Sequence, residues 1–204
     1  HPWSIQVFDL KQMTTSKAWQ ADPGMGSVFF GQFPGAALEW TTEDQLVFPW
    51  EKEGWMHLYA LEISTTKLTE LTKGKGIIED YSLSRDRQSL YFTTNIGDVH
   101  RRHIGLVDLS TKQMKMITRG EGSEFNPKET TNGVVFLRTT AQHTSRPATQ
   151  QKGKMELIGS NAKIFEAQKA AKGMVQQGCT AIIITGRNAQ KGEAAAAEIS
   201  ALGA

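Results

Sequence analysis

The sequence contains the triad Leu46-Val47-Phe48, which returns as Leu90-Tyr91-Phe92 and again as Val134-Val135-Phe136. Each copy lies 44 residues after the one before it, and a polar run rich in turn-forming residues precedes each copy. Short runs of β-branched and aromatic residues bounded by such turns are typical of β-strands. Their fixed spacing indicates a repeat architecture built from strands.

Other features recur around the triads with almost the same interval. His57 precedes His103 by 46 residues, and Leu71-Thr72-Lys73-Gly74 precedes Ile117-Thr118-Arg119-Gly120 by the same number. A period in the mid-forties is the length of one four-stranded propeller blade. The sequence therefore predicts a mainly β fold, a partial β-propeller of about three four-stranded blades, over residues 1–138.

The repeat also predicts where the strands lie. Residues 4–10 are interpreted as the tail of an earlier blade, and a third unit begins at Phe125 and stops at Leu137. The two complete units have predicted strands at 38–40, 45–50, 57–63 and 68–72, and then at 80–83, 89–94, 103–109 and 115–118. The turns between them are short enough for antiparallel hairpins.

Beyond the repeats the pattern changes. Residues 139–153 show no apolar period and are predicted to be a linker. Residues 154–204 alternate between strand and helix patterns, with strands at 154–158 and 181–185 and helices at 162–177 and 189–202. Strand, helix, strand, helix is the opening of a parallel α/β sheet, so a truncated Rossmann-like segment is expected there.

Bulk composition excludes several classes of protein. The 204 residues carry a net charge of +2, and residues 1–150 hold 16 basic and 17 acidic side chains, so the basic field of a nucleic-acid binder is missing. Cys179 is the only cysteine, which excludes an intrachain disulfide and a cysteine zinc cluster. No apolar run of about 18 residues exists to span a membrane. Because the chain begins with His1, a removed targeting segment or a fragment is expected, and the compartment stays open.

The wording of the repeats resembles a known family. FPWE at 48–51, GWMHLY at 54–59, SLSRD at 82–86, GDVHRRH at 97–103 and RPA at 146–148 are similar to the N-terminal propeller of dipeptidyl-peptidase-IV-type serine peptidases of the prolyl oligopeptidase family. The resemblance implies a propeller that covers a hydrolase domain and filters peptides. The sequence has no Gly-x-Ser-x-Gly nucleophile elbow. We therefore expect a non-catalytic, substrate-gating fragment whose partner is a peptide or a hydrolase domain.

The last part resembles a second family. KGKMELIGS at 152–160 and GCTAIIITGRN at 178–188 look like the opening βαβα of a short-chain dehydrogenase/reductase. That resemblance implies NADP as a cofactor, held by Gly159, Ser160, Gly186, Arg187 and Asn188. Where the family's phosphate-binding turn has its second and third glycines, this sequence has lysine and phenylalanine, at 163 and 165. The Tyr-x-x-x-Lys pair of the family is also missing.

Several residues allow both a functional and a structural interpretation. His100 and His103 are spaced so that on a strand they point to opposite faces, which argues against a shared metal ion. Arg101-Arg102 beside Asp98 fits either an acidic ligand or plain solvation, and we favour solvation. Three tryptophans fit either a ligand platform or packing between blades, and we favour packing: Trp40, Trp50 and Trp55. We expect Cys179 to be a buried small side chain.

Three hypotheses follow. The first is a non-catalytic propeller module that binds or gates peptides. The second is an NADP-binding remnant of an oxidoreductase. The third is a chimeric or structural fragment without activity, which self-associates through open sheet edges.

Overall fold

A computed structural model describes residues 2–29, 38–42 and 44–158. This part of the chain is built from β-strands joined by turns and loops, and it holds no helix. None of its segments is therefore an apolar helix of membrane-spanning length.

The described residues form one two-stranded and three four-stranded antiparallel sheets, and each sheet uses consecutive strands of the chain. The half-blade contains β1 (Ser4–Asp9) and β2 (Thr14–Gln20). Blade 1 contains β3 (Glu39–Trp40), β4 (Gln45–Trp50), β5 (His57–Glu62) and β6 (Lys67–Glu70). Blade 2 contains β7 (Ile78–Leu83), β8 (Ser89–Thr94), β9 (His103–Asp108) and β10 (Met114–Met116). Blade 3 contains β11 (Ser123–Thr130), β12 (Gly133–Thr140), β13 (His143–Gln151) and β14 (Lys154–Leu157).

The three triads occupy the same place in their blades, which confirms the mainly β, blade-like prediction. Each lies in the second strand, and the three phenylalanines are opposite Tyr59, Gly105 and Ala148 on the third strand. One backbone bond also recurs after the last strand of every sheet, from Ala21 to Trp3, Leu71 to Leu58, Ile117 to Ile104 and Ile158 to Pro147. The sheets are therefore structural copies of one unit.

The predicted linker is wrong for most of its length. Residues 143–151 form β13, which pairs with β12 on one side and with β14 on the other. The strand was missed because it is nearly all polar, and only Ala148 is fully buried. Its threonines favour extended structure even without apolar alternation. Lys154–Leu157 is accordingly the outer strand of blade 3, antiparallel to β13, and not the first strand of a parallel sheet.

Three apolar cores lie between successive sheets. The core between the half-blade and blade 1 contains Ile5, Phe48 and Tyr59. The core between blades 1 and 2 contains Val47 and Phe92, and the core between blades 2 and 3 contains Ile104, Val134 and Phe136. Neighbouring residues of one triad thus point to opposite faces, as the pleat requires, and the sheets stack face to face.

The turn before the last strand has the same conformation in the half-blade, blade 1 and blade 2. Met13, Thr66 and Lys112 each adopt a left-handed backbone, with φ of 54°, 55° and 60°. Each lies four residues after the acidic residue that ends the preceding strand, β1, β5 or β9: Asp9, Glu62 and Asp108. Asp9 and Asp108 accept hydrogen bonds from the amides two and three residues ahead, which stabilises the turn.

Because the strands run up and down in order, loops of different kinds collect at opposite ends of the sheets. One end, the tight-turn rim, carries the short turns at 10–13, 63–66, 84–88 and 109–113. The other end, the long-loop rim, carries the hairpin loops at 51–56 and 95–102 and the connections between sheets at 21–29, 71–77 and 117–122. The two rims differ in length and composition of loops, so they offer different surfaces.

Candidate functional site

The long-loop rim is the candidate site. Binding residues are found disproportionately on longer loops held by a rigid scaffold, and this rim brings together Trp50, Trp55, His57, Arg102 and His103 from blades 1 and 2. Trp40 lies at the opposite rim, at the end of β3.

A single carbonyl fixes the first connection of this rim. The indole Nε1 of Trp3 and that of Trp50 both donate to the backbone oxygen of Gly26, at 2.9 and 2.8 Å. Gly26 has a φ of +76°, and a Cβ built on it would lie 2.5 Å from the Glu51 carbonyl oxygen. Only glycine therefore fits where the 21–29 loop meets the 51–56 loop.

Beneath these loops lies a cluster of aromatic rings. Trp19 packs edge-on against Trp50 with ring centroids 4.8 Å apart, and Trp3 packs against Trp19 and Phe48 at 4.9 and 5.5 Å. Such edge-to-face pairs add stability beyond burial alone. The packing prediction is confirmed for Trp50, which is buried, but it is wrong for Trp40 and Trp55, which are 41% and 42% exposed.

Four apolar side chains project from this base into solvent. We call Met25, Val28, Phe29 and Trp55 the apolar shelf; their exposed fractions are 68%, 62%, 38% and 42%. Phe29 rests on Trp3 with centroids 4.9 Å apart. The Met25 sulfur lies 3.2 Å from the position of a Cβ built on Gly54. Apolar side chains exposed on neighbouring loops in this way mark a candidate interaction surface.

Acidic side chains belong to the same loops as the shelf. Glu51 and Glu53 belong to the same loop as Trp55, and Asp22 begins the loop that carries Met25. Lys52 is the basic residue among them, and its ammonium lies 5.5 Å from the centroid of the Trp50 ring, which is within range of a cation–π contact. The two loops thus carry three acidic side chains and one basic side chain.

His57 begins the third strand of blade 1 and is buried. Its Nε2 lies 3.0 Å from the Gly74 carbonyl oxygen, and its Nδ1 lies 3.3 Å from Thr72 Oγ1. A carbonyl only accepts, so Nε2 carries the proton, and the Thr72 hydroxyl donates to Nδ1. Burial lowers the pKa of His57 below 6.5, against the opposing effects of the Gly74 carbonyl and of Glu70 and Glu53.

His103 has the same position in blade 2 but a charged partner. Its Nδ1 donates to Glu124 at 2.9 Å, and the Thr118 hydroxyl donates to the same carboxylate oxygen at 2.8 Å. The other oxygen accepts from Arg138. Glu124 is fully buried, and a buried carboxylate is tolerated when its oxygens are satisfied in this way. The network joins blade 2 to blade 3.

Sequence reasoning missed Glu124. Glu124 occupies the position in the first strand of blade 3 that Ile78 occupies in the first strand of blade 2. This equivalence is defined by the backbone bonds of the two strands, so it could not be recognised from the sequence.

The two arginines at the rim are neutralised by local partners. Arg101 lies 2.9 Å from Asp98, and Arg102 lies 2.7 Å from Glu79. The hydrogen bond from Arg101 lowers the pKa of Asp98, and the hydrogen bond to Glu79 raises the pKa of Arg102. Both arginines are therefore already paired with carboxylates, and together they form a poor site for an acidic ligand. The described residues hold no group of three metal-ligating side chains.

Comparison with known proteins places this architecture in a family. A family model described as the dipeptidyl peptidase IV (DPP IV) N-terminal region matches residues 6–147, more than half of the chain. The chain belongs to the DPP IV N-terminal region family.

Solved structures share the fold of this DPP IV N-terminal region. Dipeptidyl peptidase 4 of Porphyromonas gingivalis superposes with a TM-score of 0.59 at 11% identity, covering 78% of this chain and 23% of that one. TolB of Acinetobacter baumannii superposes with a TM-score of 0.54 at 15% identity, covering 76% and 37%. At such identities the likeness concerns the fold alone.

One relative found by sequence is also a TolB protein. The Tol-Pal system protein TolB of Francisella tularensis is 35% identical over 86 residues, which are 42% of this chain and 20% of that protein. The chain thus spans about a fifth of the length of the curated relatives it matches.

The resemblance to the DPP IV propeller is thereby confirmed, whereas the dehydrogenase resemblance finds no support in these matches. The residues predicted to hold NADP all follow the matched region and lie outside the described residues: Gly159, Ser160, Gly186, Arg187 and Asn188. Cys179 lies outside them as well.

Proposed function

We propose that this chain is a non-catalytic binding module that holds a peptide segment on its long-loop rim. The observation that carries the proposal is the apolar shelf, four exposed apolar side chains on loops that are themselves fixed to a buried aromatic base. An exposed apolar surface on a rigid base loses little conformational entropy when a ligand binds.

The family supports a peptide as the ligand. Its description names the N-terminal region of a dipeptidyl peptidase, an enzyme whose name states that it acts on peptides. At the tight-turn rim the turns are short and their polar side chains bond to their own backbone, and the open hollow of about 430 Å³ beside Trp40 and Arg87 has only one large apolar side chain in its lining. We assign the gating or holding of peptides to the long-loop rim.

The test uses short synthetic peptides labelled with a fluorophore, and it follows binding to the full chain by anisotropy. We expect saturable binding and intact peptides by mass spectrometry. The variant Trp55→Ala should weaken binding about tenfold, as loss of an aromatic anchor does. Trp40→Ala is the matched control, since Trp40 is equally exposed at the other rim. Cleavage of the peptides, or equal effects of the two substitutions, would contradict the proposal.

A further inference from the structure

We propose that the inner edge of β1 binds an extended segment of another protein chain as an added antiparallel strand. This surface is separate from the long-loop rim, so the inference does not depend on the proposed function. It follows from the pairing of the half-blade, from the distribution of charge over the sheet edges, and from the register that the complete blades define.

The half-blade contains only the two outer strands of a blade. Ala21 bonds to Trp3 as Ile158 bonds to Pro147 in blade 3, so β1 corresponds to the third strand of a complete blade, β13. That strand lies between two others in blades 1, 2 and 3, whereas β1 pairs with β2 alone among the described strands. Within the described part of the chain, the inner edge of β1 is therefore open to pairing.

The direction of the backbone identifies the groups on this edge. The Trp3 carbonyl oxygen accepts a hydrogen bond from Ala21 on the side of β2. Because successive peptide groups of a strand point to alternate sides, the N–H and C=O groups of Ser4, Gln6 and Phe8 point away from β2. Three residues thus present backbone donors and acceptors at the spacing that an antiparallel partner requires.

The other sheet edges are protected by charge, as edges of natural sheets usually are. The last strand of every described sheet contains a lysine, and the first strand of each complete blade contains a glutamate: Lys17, Lys67, Lys115 and Lys154, and Glu39, Glu79 and Glu124. β1 has no charged residue from Ser4 to Phe8, and the Phe8 side chain is 49% exposed. This edge accordingly has the features of a pairing site.

The alignment of β1 with β13 shows what an added strand has to complement. The shared backbone bond aligns Ser4 with Ala148, Ile5 with Thr149 and Gln6 with Gln150. Ser4 is small like Ala148, Ile5 is β-branched like Thr149, and the third residue is glutamine in both strands. A strand that complements β13 should therefore complement β1.

β12 is the strand that pairs with this part of β13 inside blade 3. Phe136 lies opposite Ala148, and Val135 and Val134 lie opposite the next two residues. On β1 the aromatic ring would lie beside Ser4, where a small side chain leaves it space. The segment that this edge accepts thus carries an apolar, a β-branched and an aromatic residue in succession, without charge at these three positions.

The experiment uses a fluorescent peptide that copies residues 133–140 and measures its binding to the full chain by anisotropy. We expect saturable binding, with slower hydrogen exchange at the amides of Ser4, Gln6 and Phe8. A peptide of the same composition with its phenylalanine moved by one position should bind more weakly, because a shift of one residue turns the ring to the other face.

Methylation of the peptide backbone distinguishes strand pairing from apolar adhesion. The Val134 carbonyl oxygen accepts from the Thr149 hydroxyl at 3.2 Å, so the peptide groups of Val134 and Phe136 face the strand that they pair with. N-methylation at these two residues should weaken binding about tenfold. N-methylation at Val135 and Leu137, which adds the same two methyl groups on the other side, should leave most of the affinity.

A substitution in the chain tests the same edge. Gln6→Pro removes an amide that points away from β2, and proline is tolerated at such edge positions, so the variant should keep its thermal melt and lose the peptide. Trp55→Ala at the long-loop rim is the control and should bind this peptide as the natural sequence does. If Gln6→Pro fails to fold, the two methylated peptides still decide the question.

The outcomes separate this inference from the proposed function. Absence of binding, or equal weakening by the two methylation patterns, overturns the inference and leaves the long-loop rim untested by this peptide. Loss of binding in Trp55→Ala overturns it as well, because the peptide would then occupy the rim. A doubled mass in light scattering that Gln6→Pro abolishes would place a second copy of the chain on this edge, and it would also overturn the inference.

Discussion

Ile78 of blade 2 and Glu124 of blade 3 occupy one and the same position of the repeat. Each donates its backbone N–H to the residue that precedes the rim histidine of the previous blade, Ile78 to Met56 and Glu124 to Arg102, both at 2.8 Å. One interface between blades is thus closed by an aliphatic side chain and the next by a carboxylate. The equivalent threonines of blades 1 and 2 have correspondingly different acceptors: the Thr72 hydroxyl donates to His57, and the Thr118 hydroxyl donates to Glu124.

Removing the charge of Glu124 should destabilise the protein. Glu124→Gln leaves the Arg138 guanidinium without its carboxylate, and breaking a buried pair costs about 3–5 kcal/mol. The Arg138 side chain is 19% exposed, so we expect the low end, about 3 kcal/mol, in denaturant unfolding.

The matched control is Glu79→Gln, which breaks the partly exposed pair with Arg102 at the same rim. It should cost at most about 1 kcal/mol. A double variant, Glu124→Gln with Arg138→Gln, should recover part of the loss because no unpaired charge remains. Equal losses of unfolding free energy from Glu124→Gln and Glu79→Gln would mean that the buried network contributes no more to stability than the pair at the surface.

His57 predicts a dependence of stability on pH. Its pKa is lowered in the folded protein below the unfolded value of 6.5. Between pH 6.5 and the folded pKa, the unfolded chain therefore binds a proton at His57 and the folded chain does not. The contribution to stability is complete above pH 6.5, and it is lost as the pH falls from 6.5 to the folded pKa. Unfolding free energies measured from pH 8 to pH 5 should show this decrease.

The variant His57→Gln serves as the comparison. It cannot titrate, so its stability should fall less over the same pH range, although its absolute stability is lower because the bond to Gly74 is altered. Parallel pH curves for the two proteins would contradict this role of His57.

Gly105 should not tolerate a side chain. A Cβ built there lies 2.3 Å from the Phe92 ring, and the backbone of Gly105 is not left-handed, so the obstacle is the ring alone. Phe92 is fully buried. Overpacking of this kind costs about 1–3 kcal/mol, which a thermal melt of Gly105→Ala would register.

The neighbouring blades supply the control for this substitution. Blade 3 has Ala148 at the same position, opposite Phe136, so a small side chain is compatible with the blade when the ring is placed differently. The double variant Gly105→Ala with Phe92→Leu should therefore be more stable than Gly105→Ala alone. A single variant as stable as the natural sequence would show that Phe92 moves freely.

The spacing of the triads was enough to predict the blades, because each triad places apolar side chains on both faces of a second strand that is covered on both sides. The same logic failed for β13, whose buried contribution is a single alanine. It failed also for the apolar shelf, because Met25 and Val28 stand among turn residues and show no period. Their place beside the 51–56 loop depends on the bond from Trp50 to Gly26, which no local pattern records.

The paired state of β13 leads to a last prediction, on hydrogen exchange. A linker at 139–153 would exchange its amides at once and would be cut first by a protease. With β12 on one side and β14 on the other, the amides of residues 148–150 should exchange more slowly than those of the exposed loop at 51–56. Mass spectrometry of the full chain after brief labelling measures both segments in one sample. Equal and complete labelling of the two would show that blade 3 lacks its inner pairing in solution, whereas protection of 148–150 would establish a fourth consecutive sheet in the stack.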